Sequence, residues 1–364
     1  LVGAGRVGWA DAATIIPWQH YMAYGDKSIL EQQWESMKAW VDYVISQSPG
    51  YLWNTGWHYG DWLFYSVNND NAGNSAVTYT PLVQQCFFAN SATIMSKAAE
   101  VLGKEKDAAY YADVARKVRE AFCQNYLTPA GMLVSSTQTA YVLALNFDML
   151  PENMRAKAAA HLAANVEKYG HITTGFLGTP YICHVLTKFG YNDLAYKLLL
   201  REQYPGWLYP VTMGATTIWE RWNSMMPDRT IPDNGMNSFN HYSYGAIGDW
   251  LYRDAVGLHE TSAGFKTMAI KPHPGADFTQ MRAEQMTPYG RAAAEWRKQG
   301  DEFILDVVIP VNTTAEVYVP SSSQGAVMLD GVAADRSQHV KVKGYDAGYT
   351  LLEVGSGHYT FTAK

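Results

Sequence analysis

Residues 28–50, SILEQQWESMKAWVDYVISQSPG, decide how the first two-thirds of the chain fold. Leu30, Trp34, Met37, Val41 and Val44 recur at intervals of four and three, which lays one apolar stripe along a helix. Asp26 and Ser28 stand before the stripe as cap candidates, and Ser48-Pro49-Gly50 ends it. The same periodicity continues outward from this segment. It predicts helices over 81–102, from Asp107 through Phe122, and over 137–147, 152–168, 178–188, 191–202 and 238–255. Thr128-Pro129-Ala130-Gly131, Tyr204-Pro205-Gly206 and Pro232-Asp233-Asn234-Gly235 read as intervening loops. Several of these helices carry apolar residues on wide arcs, so each is covered on two sides. Paired inner and outer helices closing into a ring satisfy that demand.

After Gly257 the period changes from helical to alternating. Phe303, Leu305, Val307 and Ile309 mark a half-buried strand. The ranges 314–319, 325–329, 339–342, 349–354 and 357–362 read likewise, with turns at Asp330-Gly331 and Gly355-Ser356-Gly357. The chain therefore divides into a helical domain, residues 1–257, and an all-β domain, residues 258–364, expected to be a sandwich.

Bulk composition excludes several classes. Of the 364 residues, 48% are hydrophobic and 17% charged, an ordinary globular balance, and the formal net charge is −6. With no Lys/Arg run, the chain is not expected to bind nucleic acid. No apolar stretch approaches the roughly 20 residues that span a bilayer, so no membrane partner is expected. Cys86, Cys123 and Cys183 lie far apart on apolar segments and read as free thiols. No metal-ligand spacing and no cofactor motif occurs.

The chemistry concentrates in residues 214–241, GATTIWERWNSMMPDRTIPDNGMNSFNH. Glu220 sits between Trp219 and Trp222, and a polar-aromatic cluster with His241 follows. Aromatic faces suit the apolar faces of sugar rings, and a carboxylate among them suits glycosidic cleavage. The alternative for Glu220 is a partner for a helix N-terminus. His241 is read as a sugar-hydroxyl or carboxylate partner, against a capping or core role. Gly8-Trp9-Ala10-Asp11 and Gly60-Asp61-Trp62 share one logic, a glycine turn presenting an aromatic platform (Trp9, Trp62) and a hydroxyl acceptor (Asp11, Asp61). Each Asp could equally cap the helix that follows it. Arg221 joins the set as a further hydroxyl ligand.

At these residues the sequence resembles the bacterial α-L-rhamnosidases of glycoside hydrolase family 78. The matching segments are GWADAATIIPWQHYMAYGD (8–26), YGDWL (59–63), STQTAYVLAL (136–145), TTGFLGTPY (173–181), LAYKLLL (194–200), YPGWLYPVTMGATTIWERW (204–222) and MNSFNHYSYGAIGDWLY (236–252). The resemblance implies an (α/α)6 barrel followed by an antiparallel β-sandwich, and inverting hydrolysis of terminal non-reducing α-L-rhamnosides. It implies Glu220 as general base, with His241, Trp9 and Trp62 around the rhamnose. The family's general acid is a Glu in an upstream motif resembling DERLGWTGDA. This sequence holds no such motif, and Gly5-Arg6-Val7-Gly8-Trp9 has no carboxylate at the acid position. The chain is accordingly expected to be the downstream part of a longer polypeptide, with the first barrel helices absent. Two other readings stay open at this point: a carbohydrate-binding protein without turnover, and another (α/α)6 glycosidase or phosphorylase.

Overall fold

A computed structural model describes residues 5–65, 77–232 and 236–364. The loop signal expected at Pro232–Gly235 falls partly on 233–235, outside the described residues. Contacts divide the chain into two compact units. One holds residues 1–18 and 30–247, the other residues 19–29 and 248–364.

The helices of the first unit follow the apolar periodicity closely. After α1 (Ala12–Tyr24) comes α2 (Ser28–Ser46), which buries the five expected stripe residues and no others. Full burial of each such side chain is worth roughly 1.5–3 kcal/mol. Asp26 accepts the backbone N–H of Ser28 at 2.9 Å and its hydroxyl at 2.8 Å, as a cap should.

Three helix pairs then follow. They are α3 (Thr80–Val101) with α4 (Glu105–Tyr126), α5 (Gln138–Asn146) with α6 (Glu152–Tyr169), and α7 (Thr179–Lys188) with α8 (Asn192–Leu199). The layers are visible in burial. Gln138 through Leu145 of α5 are all buried, and so is most of α3, whereas α6 buries only Ala158, Ala159, Leu162, Ala163 and Val166. First members contact one another (α3 with α5, α5 with α7), so they form the inner layer. Thr137 caps α5, its hydroxyl accepting the N–H of Ala140 at 3.2 Å. A short α9 (Leu208–Thr212) closes the run. Cys86 and Cys183 are buried, Cys123 is half-buried, and none of the three forms a disulfide among the described residues.

One expected helix does not form as read. Residues 238–255 are not continuous: 238–242 are irregular, Ser243–Ala246 is a 3-10 turn, Ile247–Trp250 is α-helical and Leu251–Val256 is a π-turn. The cause is competition for backbone groups. Ser238 accepts the N–H of Glu220 at 2.9 Å and His241 donates to Ile218 at 2.8 Å, so this segment pairs laterally instead of coiling.

The second unit contains two sheets. Its strands are β1 (Leu258–Glu260), β2 (Thr267–Ile270), β3 (Gln280–Thr287), β4 (Gly290–Gln299), β5 (Glu302–Ile309), β6 (Thr314–Pro320), β7 (Met328–Leu329), β8 (Val332–Ala333), β9 (Val340–Asp346), β10 (Tyr349–Val354) and β11 (Gly357–Ala363). The sheets run β1-β2-β6-β10-β9 and β3-β4-β5-β11-β7-β8. Every pairing is antiparallel except β2 with β6, because the chain spends three strands in the other sheet before returning beside β2. Met268, Val317 and Leu352 of one sheet and Trp296, Leu305 and Phe361 of the other share one core. The strand expected over 325–329 shortens to β7, since Gln324–Ala326 turns as a 3-10 helix.

Candidate active site

Trp9 stands on a tight turn built by the residues around it. Gly8 has φ 81°, and a β-carbon there would lie 2.5 Å from the Leu177 side chain, so only glycine fits. Ala10 donates to the carbonyl of Arg6 at 2.8 Å. Asp11 locks this turn from behind. Its carboxylate accepts Gly8 N–H at 2.8 Å, Trp40 Nε1–H at 3.0 Å and the Ser91 hydroxyl at 2.6 Å. It has no exposed surface. Burial pushes its carboxyl up, against the pull of the Ser91, Trp40 and Gly8 donors. Asp11 therefore does not receive a sugar hydroxyl, contrary to expectation; its oxygens are spent on the turn. Trp9 itself is 39% exposed.

Tyr59 joins the two expected platforms. Its ring centroid lies 4.8 Å from Trp9, 5.3 Å from Trp62 and 4.9 Å from Trp57. Neither Tyr59 nor Trp57 was singled out from sequence, although both belong to the aromatic run Trp53–Trp62. His58 ties this run to the Trp9 turn. Its Nδ1 accepts Val7 N–H at 3.0 Å, which makes Nε2 the protonated nitrogen facing Thr55 O at 3.1 Å. Burial holds its pKa below the ordinary histidine value, so the neutral ring that this bonding requires is the favoured one.

Asp61 is also buried, at 4% exposure, and also corrects the expectation of a sugar ligand. Its carboxylate accepts the N–H groups of Gly175 at 2.8 Å, Leu177 at 2.8 Å and Gly178 at 3.1 Å, together with the Thr139 hydroxyl. Burial raises its pKa while these four donors oppose the rise. The loop so gripped lies directly on the Trp62 segment. Phe176 donates to Trp62 O at 2.8 Å, and Tyr65 donates to Thr173 O at 3.0 Å. A β-carbon on Gly175 would stand 2.1 Å from Trp62 O.

Phe176, at the tip of that loop, meets His241 at 5.1 Å and Tyr244 at 5.4 Å between ring centroids. His241 Nδ1 accepts Ser243 N–H at 3.3 Å, which leaves Nε2 as the donor of the neutral ring. Ile218 and Glu220 flank buried Trp219 in the sequence. The Glu220 carboxylate is partly exposed and makes no hydrogen bond or ion pair to a described residue. Its tryptophan neighbours are not platforms. Trp219 packs edge-on against Phe239, and Trp222 stacks on Tyr244 at 3.9 Å while donating to Thr174 O at 3.1 Å. Arg221 is buried as well, its Nε donating to Met236 O at 2.8 Å. It braces the segment and also lines a cavity with Trp219 and Trp222.

The result is one wall, Trp9–Tyr59–Trp62–Phe176–His241, linked by ring contacts and by the Phe176–Trp62 backbone bond, with Glu220 on the irregular segment that pairs with 238–241. A cavity of about 800 Å³ is lined by two of these wall residues, Trp9 and Phe176, together with Ile218 and Tyr242 among others. Glu220 and His241 adjoin the lining residues Ile218 and Tyr242 in sequence, while Asp11 and Asp61 are buried and Arg221 lines a separate cavity with Trp219 and Trp222. Among the described residues no group of three or more His, Cys, Asp or Glu side chains could hold a metal ion.

Comparison with known proteins yields consistent relatives. Residues 2–255 match the bacterial alpha-L-rhamnosidase 6 hairpin glycosidase domain, and residues 257–334 match the bacterial alpha-L-rhamnosidase C-terminal domain. An alpha-L-rhamnosidase of Streptomyces avermitilis is 38% identical over 99% of this chain and 33% of its own length. One from Formosa agariphila is 39% identical over 98% of this chain and 38% of its own. The chain thus spans about a third of the length of these relatives. The crystal structure of the Streptomyces avermitilis enzyme, complexed with L-rhamnose, superposes with a TM-score of 0.91 over 99% of this chain and 33% of that one. That of the Aspergillus terreus enzyme gives 0.88 at 31% identity, covering 100% and 40%. The helical region followed by a C-terminal β domain is the architecture these structures share.

Proposed function

Because the chain belongs to the bacterial alpha-L-rhamnosidase 6 hairpin glycosidase family, we propose that its wall and Glu220 form the water-activating side of a site that hydrolyses terminal α-L-rhamnosides with inversion. The observation that carries this reading is the Glu220 carboxylate, which has no hydrogen-bond or ion-pair partner among the described residues, on a segment tied to that of His241 by the Glu220–Ser238 and His241–Ile218 backbone bonds. A carboxylate with no internal partner keeps its lone pairs for an outside proton.

In the reaction, rhamnose packs on the exposed faces of Trp9 and Trp62, and His241 Nε2–H binds one of its hydroxyls. Glu220 takes a proton from a water as that water attacks the anomeric carbon. The leaving oxygen is protonated from the opposite face by a second carboxylic acid, roughly 6.5–9.5 Å from the first, the spacing that leaves room for water. Asp11 and Asp61 are saturated by internal donors and do not serve, so the acid lies outside this wall. That same observation favours one other reading, in which the wall binds rhamnosides without turnover.

Incubation with p-nitrophenyl α-L-rhamnoside, followed by proton NMR of the first sugar released, tests both. Initial β-L-rhamnose supports the proposal. Initial α-L-rhamnose overturns inversion, and calorimetric binding of L-rhamnose with no nitrophenol release selects the binding-only reading.

A further inference from the structure

We propose that the aromatic wall continues past Trp9 into a second subsite, at Arg6 and Trp57, that binds a uronic acid unit through its carboxylate. This rests on the reading of the wall as a sugar surface, and it names the chemistry of the sugar bound next to the rhamnose.

The wall does not end at Trp9. Tyr59 contacts Trp57 at 4.9 Å between ring centroids as well as Trp9 at 4.8 Å. Trp57 is 60% exposed. An indole so open contributes little to a core, and together with Trp9 it offers more aromatic surface than one sugar ring covers.

Arg6 supplies charge at this end. Its guanidinium carbon lies 5.1 Å from the centroid of the Trp57 ring. The side chain makes no hydrogen bond and no ion pair to a described residue. Its Nε is closed off from solvent without an acceptor, whereas its two Nη atoms are not enclosed in this way. A guanidinium set over a ring keeps its in-plane donors, and the pair at its end matches both oxygens of a carboxylate.

No described group of the fold takes up that charge. Asp11, the carboxylate of the same turn, is spent on Gly8, Trp40 and Ser91. His58 ties the turn to the Trp57 segment through Val7 N–H. Burial holds its pKa down, and the Arg6 charge acts in the same direction, so its ring stays neutral. A purely structural role does not account for the pair. A cation–π contact at an exposed ring is worth less than an N–H buried without an acceptor costs. A bound carboxylate shifts that balance, because charge-assisted bonds to arginine are the strong ones.

The chemistry selects the ligand class. A neutral sugar would leave the guanidinium unpaired, and a small free anion would leave the Trp57 face bare. A uronic acid answers both, with its ring on Trp57 and its carboxylate at Arg6. A sulfated sugar shares the charge but not the planar pair of oxygens that the guanidinium edge fits.

The test is an NMR titration of the full chain, reading the Trp57 indole Nε1–H and the Arg6 backbone amide. The probes are methyl β-D-glucuronide, methyl β-D-glucoside, glucose 6-sulfate and sodium acetate. The expected result is saturation with the glucuronide at a midpoint about tenfold below that of each comparator. Arg6→Gln should abolish that preference and Arg6→Lys should restore part of it, while Trp57→Ala should weaken glucuronide and glucoside alike. The proposal is overturned if the glucuronide saturates neither signal, if glucoside, sulfate or acetate binds as tightly, or if Arg6→Gln keeps the preference. L-Rhamnose, read at the Trp9 indole and the His241 amide, tests the wall separately. Rhamnose binding with a silent Trp57 toward glucuronide overturns this subsite and leaves the wall. Absent rhamnose binding counts against the wall, and the glucuronide midpoint still decides the subsite.

Discussion

The carboxylate of Asp61 accepts the backbone N–H of Leu177 at 2.8 Å across 116 residues of sequence. The same group takes the N–H groups of Gly175 and Gly178, so one side chain fixes the main chain beneath Phe176. Asp61→Asn replaces one acceptor oxygen by an amide that faces donors. The cost should be about 2–4 kcal/mol, read from urea unfolding. Affinity for L-rhamnose should fall with it, because Phe176 and His241 lose their shared support. A variant as stable and as tight-binding as the parent would show that the loop holds itself.

Glu220→Gln should leave the local packing alone, since the carboxylate makes no hydrogen bond or ion pair among the described residues. Melting temperature should stay within a degree or so, while kcat drops by about 10²–10⁴, the usual contribution of a general base. Turnover near that of the parent removes Glu220 from the proposed mechanism.

Gly175→Ala should destabilise the first unit by about 1–3 kcal/mol or more. Its β-carbon would meet Trp62 O at 2.1 Å and Phe64 N at 2.7 Å, both backbone atoms that cannot swing aside. Gly325→Ala is the control, as nothing lies within 4 Å of its β-carbon. Equal unfolding midpoints for the two variants would contradict the close approach.

Acid should loosen the second unit through His259 and His273. Burial holds both below the ordinary value of 6.5, with Arg253 adding to the effect on His259 while Asp254 and Glu260 oppose it. In the window between those lowered values and 6.5, the unfolded chain binds more protons than the folded one. Stability is therefore full above pH 6.5 and declines as pH falls through the folded-state values. Urea midpoints between pH 8 and pH 5 should show this slope, and replacing both histidines by Gln should flatten it. A pH-independent midpoint in the parent contradicts the assignment.

Periodicity made the elements readable wherever one face meets one core. The stripe of α2 and the alternation Phe303–Ile309 are the clearest cases, since all their inward residues are buried. It failed on β3, QMRAEQMT, where Ala283 is the one fully buried residue and no alternation is left to see. It failed again at 238–242, where lateral pairing with Ile218 and Glu220 overrode the helical pattern. In the site, residue type singled out Trp9, Trp62, Glu220 and His241, but it did not foretell that Asp11, Asp61 and Arg221 would be buried among internal partners. A carboxylate facing a ligand and one facing distant backbone donors look alike in sequence. Only the fold reveals that Ser91 lies 80 positions from the Asp11 it binds. Tyr59 and Phe176 went unmarked because each acts through neighbours that are far away along the chain.

The grip of Asp61 has an evolutionary corollary. It captures main-chain atoms at 175, 177 and 178 and touches no part of the side chain at 176. The loop is thus a fixed mount with an exchangeable tip. A change of the residue at that tip would leave those three bonds in place, so the tip is where the sequence can vary at least cost to the scaffold.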